Sequence, residues 1–147
     1  MEKGNVLMVC LGNICRSPLA QGIFEQLSKE FSITVDSAGT ARYHIGDTPD
    51  PRSIKTALNH GIDISKQKAR QFTRLDFDSF DHIFVMDLQN LKNVLELSQT
   101  EKERSKVKLL LTNEEVEDPY YLGNHGFEIV FNKIEKACKE IIGSWKQ

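Results

Sequence analysis

The sequence lacks the features that mark membrane, secreted and nucleic-acid-binding chains. No apolar run approaches the roughly 20 residues that a membrane-spanning helix needs. With 19 Lys and Arg against 21 Asp and Glu, the formal net charge of -2 gives no general attraction to nucleic acid or to an anionic membrane. Residues 1–5 leave no room for a signal peptide before the first apolar run. We therefore expect a cytoplasmic protein whose partners are neither nucleic acids nor membranes.

Cysteine is also scarce, with three residues of this type among 147. An odd count without scaffold-like spacing argues against a disulfide framework and favours a reducing compartment, in which a thiol is free to react. Cys10 and Cys15 form no Cys-x-x-Cys pair and lack an obvious second pair of ligands. We therefore predict no metal site and no cofactor. Cys138 falls on the apolar face of a predicted helix and is expected in the core.

Short apolar runs alternate with helical patterns along the whole chain. The runs predict strands at residues 5–9, 33–36, 82–86 and 107–111. Helix starts are predicted at Pro18, at Asp50 with Pro51, and at Asp87. Residues 98–106 are predicted as a solvated helix end and loop. A long final helix is predicted after residues 123–126. With no repeat or interior linker, this alternation predicts one α/β domain over residues 1–147. We expect three layers, in which helices flank a four-stranded parallel sheet.

The segment from Cys10 to Pro18 carries the clearest chemical signal, because it leads from the first predicted strand through a loop into a helix. Successive backbone N–H groups ahead of a helix N-terminus form a site for a phosphate-sized anion. Gly12 is expected to allow a tight turn, and Asn13 to adopt a left-handed conformation and bond across the loop. Arg16 can grip two oxygens with its planar fork. A phosphate-binding loop is therefore predicted after the first strand.

The thiol of Cys10 is expected to experience the same positive electrostatic potential as the bound anion. A helix N-terminus and a nearby guanidinium favour the thiolate, which is the nucleophilic form of cysteine, and Ser17 is placed to donate its hydroxyl to it. The competing interpretation is a small core cysteine at a strand end. Nucleotide binding of the Walker type is disfavoured, because the Gly-Lys-Ser/Thr ending is missing. Asp118 before Pro119 suits either a turn or a general acid.

Residues 9–18 resemble the signature loop of the low-molecular-weight protein tyrosine phosphatases. The resemblance runs nearly from end to end of the chain. It is carried further by residues 36–40, Tyr43, Gly46, 60–62, 69–71, 80–81, 86–87 and 118–121. A Cys-x5-Arg match alone would be weak, but the loop and the Asp-Pro-Tyr-Tyr motif in this order are specific.

The resemblance implies a metal-independent phosphatase that acts on phosphotyrosine in proteins or peptides. Cys10 would attack phosphorus and become phosphocysteine, Arg16 would hold the transferring oxygens, and Asp118 would act as general acid and then as general base. The implied phosphate- and substrate-binding residues are Leu11, Gly12, Asn13, Ile14, Cys15, Ser17, Tyr43, Tyr120 and Tyr121. A monomer is expected, with a weak dimer as the alternative.

Three other activities compete with this one. An arsenate reductase on the same fold needs a relay of further cysteines, and residues 16–137 contain none. The protein-arginine phosphatase branch carries threonine where this chain has Ile14. A phosphate-binding module without turnover would not need both Cys10 and Asp118.

Several further residues near the predicted site suit supporting or structural roles. Cys15 is either a packed thiol or, by resemblance, the partner of Cys10 in a reversible disulfide. His60 is expected to cap a helix rather than support the loop, and His44 to lie on the surface at the cleft. Arg52 and Arg70 are expected to be solvated. The physiological substrate and any phosphorylation of the paired tyrosines stay open.

Overall fold

A computed structural model describes residues 2–146, and the side chains of Tyr121 and Asn124 lie outside that description. The sheet has the order β2-β1-β3-β4, and every pairing in it is parallel. Its strands are β1 Val6–Cys10, β2 Val35–Gly39, β3 His82–Val85 and β4 Val107–Leu109. The predicted four-stranded parallel sheet is confirmed. Because the strands run in one direction, their carboxyl ends lie at a single edge, where ligands bind in open α/β sheets.

Helices connect the strands and cover both faces of the sheet. They are α1 Arg16–Leu27, α2 Pro51–Asn59, α3 Asp76–Ser79, α4 Leu88–Leu97, α5 Glu101–Ser105 and α6 Gly123–Trp145, with a 3₁₀ turn at Pro119–Tyr121. The predicted cap of α2 is present, since the Asp50 side chain accepts a hydrogen bond from the Arg52 N–H and Pro51 is the first helical residue. Asp87 caps α4 in a capping box with Asn90.

Several boundaries differ from the prediction. Strand β2 lies later than residues 33–36, and β4 ends at Leu109 rather than at residue 111. Residues 98–106 contain the short exposed helix α5, because the Thr100 side chain caps it and Arg104 pairs with Glu101 one turn earlier. Helix α6 begins at Gly123 rather than after Gly126. Gly123 has a φ of 76°, a left-handed conformation that glycine tolerates, so the chain changes direction there between the 3₁₀ turn and the helix.

The first strand is buried on both faces and therefore separates two cores. Val6, Met8 and Cys10 pack into a core with residues of α1 and α6. Leu7 and Val9 face the second core, which includes Phe77 of α3, Val94 of α4 and Ile83 of β3. This arrangement confirms the three-layer architecture. No helix within residues 2–146 has the length and apolar character required to span a bilayer.

Candidate active site

The predicted phosphate-binding loop lies at the carboxyl edge of the sheet, between the end of β1 and the start of α1. The Cys10 and Leu11 carbonyls accept hydrogen bonds from Thr40 and Ala41, both at 2.9 Å, and the Ile14 carbonyl accepts one of 2.8 Å from Asp50. These carbonyls are therefore engaged by the neighbouring segments. The loop amides and the N-terminus of α1 are left to bind an anion.

Asn13 organises the interior of the loop. Its φ of 58° is in the left-handed region, as predicted. Its side-chain oxygen accepts a 3.1 Å bond from the Arg70 N–H, which fixes the amide so that its nitrogen donates to Ser17 Oγ at 2.7 Å and Ser37 Oγ at 3.0 Å. Ser37 in turn donates to Gln21 at 2.6 Å. Each donor in this buried network is thereby assigned a direction.

The donor and acceptor roles in this network determine whether Ser17 can donate a hydrogen bond to the Cys10 sulfur. The Cys10 sulfur lies 3.0 Å from Ser17 Oγ. Because Ser17 already accepts a bond from Asn13, its own proton is free to point at the sulfur. The sulfur at the end of β1 is therefore placed to accept a hydrogen bond from the Ser17 hydroxyl.

Arg16 lies beneath the pocket with its side chain almost fully buried. One terminal nitrogen donates to Asp87 Oδ2 at 2.7 Å and to the Val116 carbonyl at 3.0 Å. Burial opposes the charge, but interactions with Cys10 and Asp87 outweigh it and raise the pKa of Arg16. The guanidinium is thus held charged and in place, and its other terminal nitrogen lies 3.9 Å from Asp118 Oδ2.

Asp118 comes from the opposite side of the pocket, ahead of the 3₁₀ turn. Its Oδ1 accepts a 3.0 Å bond from the Tyr120 N–H, whereas Oδ2 is the atom nearest to Arg16. The segment before it is attached to the sheet, since the Val116 N–H donates to the Met86 carbonyl at 2.7 Å. The two carboxylate oxygens therefore differ: one caps the turn and the other is available in the pocket.

One pocket brings most of the predicted site residues together. Its lining residues are Cys10, Leu11, Gly12, Ile14, Cys15, Arg16, Tyr43, His44, Asp118 and Tyr120. Asn13 and Ser17 are buried beneath the loop and support it. The prediction for the Tyr121 side chain lies outside the described residues. The part of the chain that the structure describes holds no group of three His, Cys, Asp or Glu side chains able to bind a metal ion.

Gly12 is restricted by a neighbour as well as by the tight turn expected of it. The left-handed conformation in the loop belongs to Asn13, and Gly12 does not share it. A Cβ on Gly12 would stand 3.0 Å from the ring of His44. The packing of His44 against the loop therefore leaves little room for a side chain at position 12. His44 is thus part of the pocket wall rather than only a surface residue.

Cys15 lies at the N-cap of α1 and is 5% exposed. Burial, with a further contribution from the Asp50 charge, raises the pKa of Cys15 to about 12. Cys10 and Cys15 are both free thiols. These features match the packed-thiol interpretation, and a disulfide between the two stays a prediction.

Some residues at the site were missed or misjudged from the sequence. Asp87 was interpreted only as a helix cap, yet it also holds Arg16, and its position directly after β3 at the carboxyl edge could have indicated this. The Val116 carbonyl carries no sequence signal because any residue supplies one. Arg52 and Arg70 were predicted to be solvated rather than catalytic; both side chains are about a third exposed, and both are held in ion pairs. Arg52 pairs with Asp50, and Arg70 is half-buried in ion pairs.

His60 behaves as predicted. It caps the C-terminus of α2, and its ring stacks on Phe131 rather than touching the loop.

Comparison with known proteins gives consistent matches over nearly the full chain. The family model described as low molecular weight phosphotyrosine protein phosphatase matches residues 5–147. The low molecular weight phosphotyrosine protein phosphatase of Homo sapiens is 39% identical over 148 residues, which cover 94% of this chain and 93% of that protein.

Solved structures agree with the sequence matches. A protein tyrosine phosphatase from Entamoeba histolytica, with Hepes in its active site, has a TM-score of 0.90 at 33% identity and covers 98% of this chain and 97% of its own. Wzb of Vibrio vulnificus in complex with benzylphosphonate has a TM-score of 0.88 at 25% identity and covers 96% and 98%.

Proposed function

This chain belongs to the low molecular weight phosphotyrosine protein phosphatase family, and we propose that it hydrolyses phosphotyrosine through a phosphocysteine intermediate. One observation carries the proposal: a single pocket is lined by a thiol, a guanidinium and a carboxylate, those of Cys10, Arg16 and Asp118. Together they offer a nucleophile, an anion clamp and a proton donor. Those three functions suffice for phosphoryl transfer from an aryl ester.

In the first step the loop amides of residues 11–17 and the Arg16 guanidinium bind the phosphate oxygens. The Cys10 sulfur attacks phosphorus, an S–P bond forms, and the bond between phosphorus and the phenolic oxygen breaks. Asp118 gives the proton on Oδ2 to the leaving oxygen, so that tyrosine departs as a neutral phenol. Stabilising the developing charge with fixed donors requires no reorganisation during the step.

In the second step Asp118 removes a proton from a water molecule that attacks phosphorus. The S–P bond breaks, inorganic phosphate forms, and the sulfur leaves as a thiolate. The Ser17 hydroxyl, 3.0 Å from the sulfur, stabilises that leaving thiolate. Asp118 is then protonated for the next turnover.

The walls of the pocket fit an aromatic ester. Tyr43 and Tyr120 line the opening, where their rings can stack on a phosphotyrosine ring, and Ile14 adds an apolar surface. The Vibrio vulnificus relative binds benzylphosphonate, which joins an aromatic ring to a phosphonate. This supports an aryl phosphate as the substrate class of this chain. A cytoplasmic location, a monomeric state and sensitivity to oxidation stay predictions.

The proposal is tested by hydrolysis of 4-nitrophenyl phosphate with chelator present, comparing wild type with Cys10→Ser and Asp118→Ala. We expect no turnover from Cys10→Ser, since a hydroxyl is a far weaker nucleophile than a thiolate. Asp118→Ala should lose about 10²–10⁴-fold, the usual contribution of a general acid. The matched control is Cys138→Ala, which alters a cysteine in the core of α6 and should leave kcat unchanged. Undiminished turnover in Cys10→Ser would exclude the mechanism.

The wild type and the same variants also distinguish phosphotyrosine hydrolysis from the alternative activities. Phosphotyrosine and phosphoarginine peptides should be hydrolysed at different rates, with phosphotyrosine faster because Ile14 offers no polar partner for a guanidinium. Faster release from phosphoarginine, or thiol-dependent reduction of arsenate, would contradict the assigned substrate class.

A further inference from the structure

Arg52, on the second residue of α2, contacts both halves of the proposed site. Its Nε and Nη2 atoms donate to the Asp50 carboxylate at 3.1 and 3.0 Å, and Nη1 donates to the Tyr120 carbonyl at 2.9 Å. Its guanidinium carbon also lies 5.0 Å from the ring centroid of Tyr120 and 4.6 Å from that of Phe127. The side chain is therefore fixed by a paired carboxylate, a carbonyl and two aromatic faces.

The Asp50 end of this arrangement is attached to the phosphate-binding loop. The Asp50 N–H donates to the Ile14 carbonyl at 2.8 Å, and the neighbouring Cys15 thiol contributes to the lowered pKa of Asp50. Burial opposes its charge, but the bonds from Arg52 prevail and lower the pKa of Asp50. The partner of Arg52 is thus a charged residue that is hydrogen-bonded to the phosphate-binding loop.

The Tyr120 end is attached to the proposed general acid. The main chain of Tyr120 is held on both sides of its Cα: the carbonyl accepts from Arg52, and the N–H, in the preceding peptide unit, donates to Asp118 Oδ1. Because Oδ1 is used in this way, Oδ2 is the oxygen left facing Arg16 and the pocket. Displacement of the Tyr120 main chain would therefore turn the carboxylate of Asp118.

We propose that Arg52 is a positioning residue, which holds the segment of residues 118–121 against the phosphate-binding loop so that Asp118 Oδ2 meets the leaving oxygen. This role rests on the proposed function of Asp118 as general acid. Arg52 touches no reacting atom in it. Arginine is required because its planar fork bonds the carboxylate and the carbonyl while its face stacks on aromatic rings, which lysine cannot reproduce.

A positioning role predicts a loss that depends on the leaving group. Phenyl phosphate needs a proton on its departing oxygen, whereas 2,4-dinitrophenyl phosphate releases an already stable anion. For Arg52→Lys, we expect kcat/KM to fall about tenfold with phenyl phosphate and less than about twofold with 2,4-dinitrophenyl phosphate. The double variant Arg52→Lys/Asp118→Asn should be no slower than Asp118→Asn alone, because the residue acts through Asp118.

The matched control is Arg74→Lys. Arg74 likewise bonds a backbone carbonyl, that of Leu97, and a carboxylate, that of Glu103, but it takes no part in the pocket. Arg74→Lys should leave kcat/KM unchanged with both phenyl phosphate and 2,4-dinitrophenyl phosphate. A thermal melt establishes that each variant is folded. If Arg52→Lys does not fold, Asp50→Asn replaces it, since an amide keeps the helix cap but removes the charge that holds Arg52.

The outcomes distinguish the two proposals. If Asp118→Asn itself shows no dependence on the leaving group, the assignment of the general acid fails. If Asp118→Asn shows it but Arg52→Lys slows both esters equally, or adds to the loss in the double variant, then Arg52 acts on phosphate binding or stability and the positioning role is overturned.

Discussion

The two halves of the proposed site are held in place by different means. In the loop, Asn13, Arg16 and Ser17 are buried, and their partners are mainly interior groups. In the acid segment, residues 114–121, the side chain of Asp118 is 40% exposed and Tyr120 is 43% exposed. The loop depends on buried hydrogen bonds and a charge pair, whereas the acid segment also depends on ion pairs at the surface.

This difference predicts where substitutions act. A buried charge or amide that loses its partner destabilises the fold, because no water replaces the missing bond. An exposed pair is replaced by water and affects the position of a segment more than the stability of the protein. Substitutions that support the loop should therefore lower the free energy of unfolding, and those that support the acid segment should mainly lower the rate.

The largest effect is expected at Asp87, which pairs with the buried Arg16 guanidinium. Asp87→Ala should lower the free energy of unfolding by about 3–5 kcal/mol, because it leaves a buried cation without its carboxylate. Urea unfolding measures the change. Asp87 also caps α4, so the control is Thr100→Ala, which removes only the cap of α5 and should lose about 1 kcal/mol. Equal losses in the two variants would show that the pairing with Arg16 contributes nothing.

A smaller loss of stability is expected at Asn13, where a left-handed backbone and three side-chain hydrogen bonds coincide. Asn13→Ala should lose about 2.5–3.5 kcal/mol, from about 1–2 for alanine in that conformation and about 0.5 for each of the three bonds. Asn113 has a φ of 61° on an exposed turn, so Asn113→Ala reports the strain alone. Asn13→Gly removes the strain and keeps the loss of bonds. If Asn13→Ala and Asn113→Ala lose the same amount, the bonds within the loop do not stabilise it.

The same contrast explains how much of the fold and of the site could be predicted from the sequence. The order of strands and helices follows from local periodicity and caps, so Asp50, Asp87 and the buried β1 were predicted correctly. The loop is one continuous segment, and Asn13 could be assigned its conformation because few residue types tolerate it. Residues alone left Asp118 between a turn and an acid. Its place after the last strand and the resemblance favoured the acid, whereas its contact with Arg16, about a hundred positions away in the chain, has no local signal.

What escaped prediction are contacts between segments that are distant in sequence. Arg52 was expected to be solvated because nothing near it in the chain indicates a carbonyl 68 positions away. The Val116 carbonyl is a main-chain group, and the space beside Gly12 is limited by the ring of His44. Such contacts depend on how the loops fold back over the sheet edge, which periodicity does not encode.

The smallest effect is expected at Lys133 of α6, which supports the acid segment from outside. Its Nζ donates to Glu117 at 2.9 Å and to Glu114 at 3.3 Å, and all three side chains are a third or more exposed. Exposed pairs contribute about 0.2–1 kcal/mol, so Lys133→Met should lose less than about 1 kcal/mol in urea unfolding. Turnover of phenyl phosphate should fall by no more than about twofold. Because 0.5 M salt weakens the ion pairs in the wild type, it should reduce the difference between the wild type and Lys133→Met.

The matched control for Lys133 is Lys139→Met on the same helix, whose pair with Glu135 spans 3.7 Å and is remote from the acid segment. It should alter neither stability nor rate by a measurable amount. A loss in Lys133→Met as large as that in Asp87→Ala would mean that the surface pairs fix the acid segment as firmly as burial fixes the loop. Stability and rate would then fall together in both halves, and the positioning of Asp118 could not be varied separately from the fold.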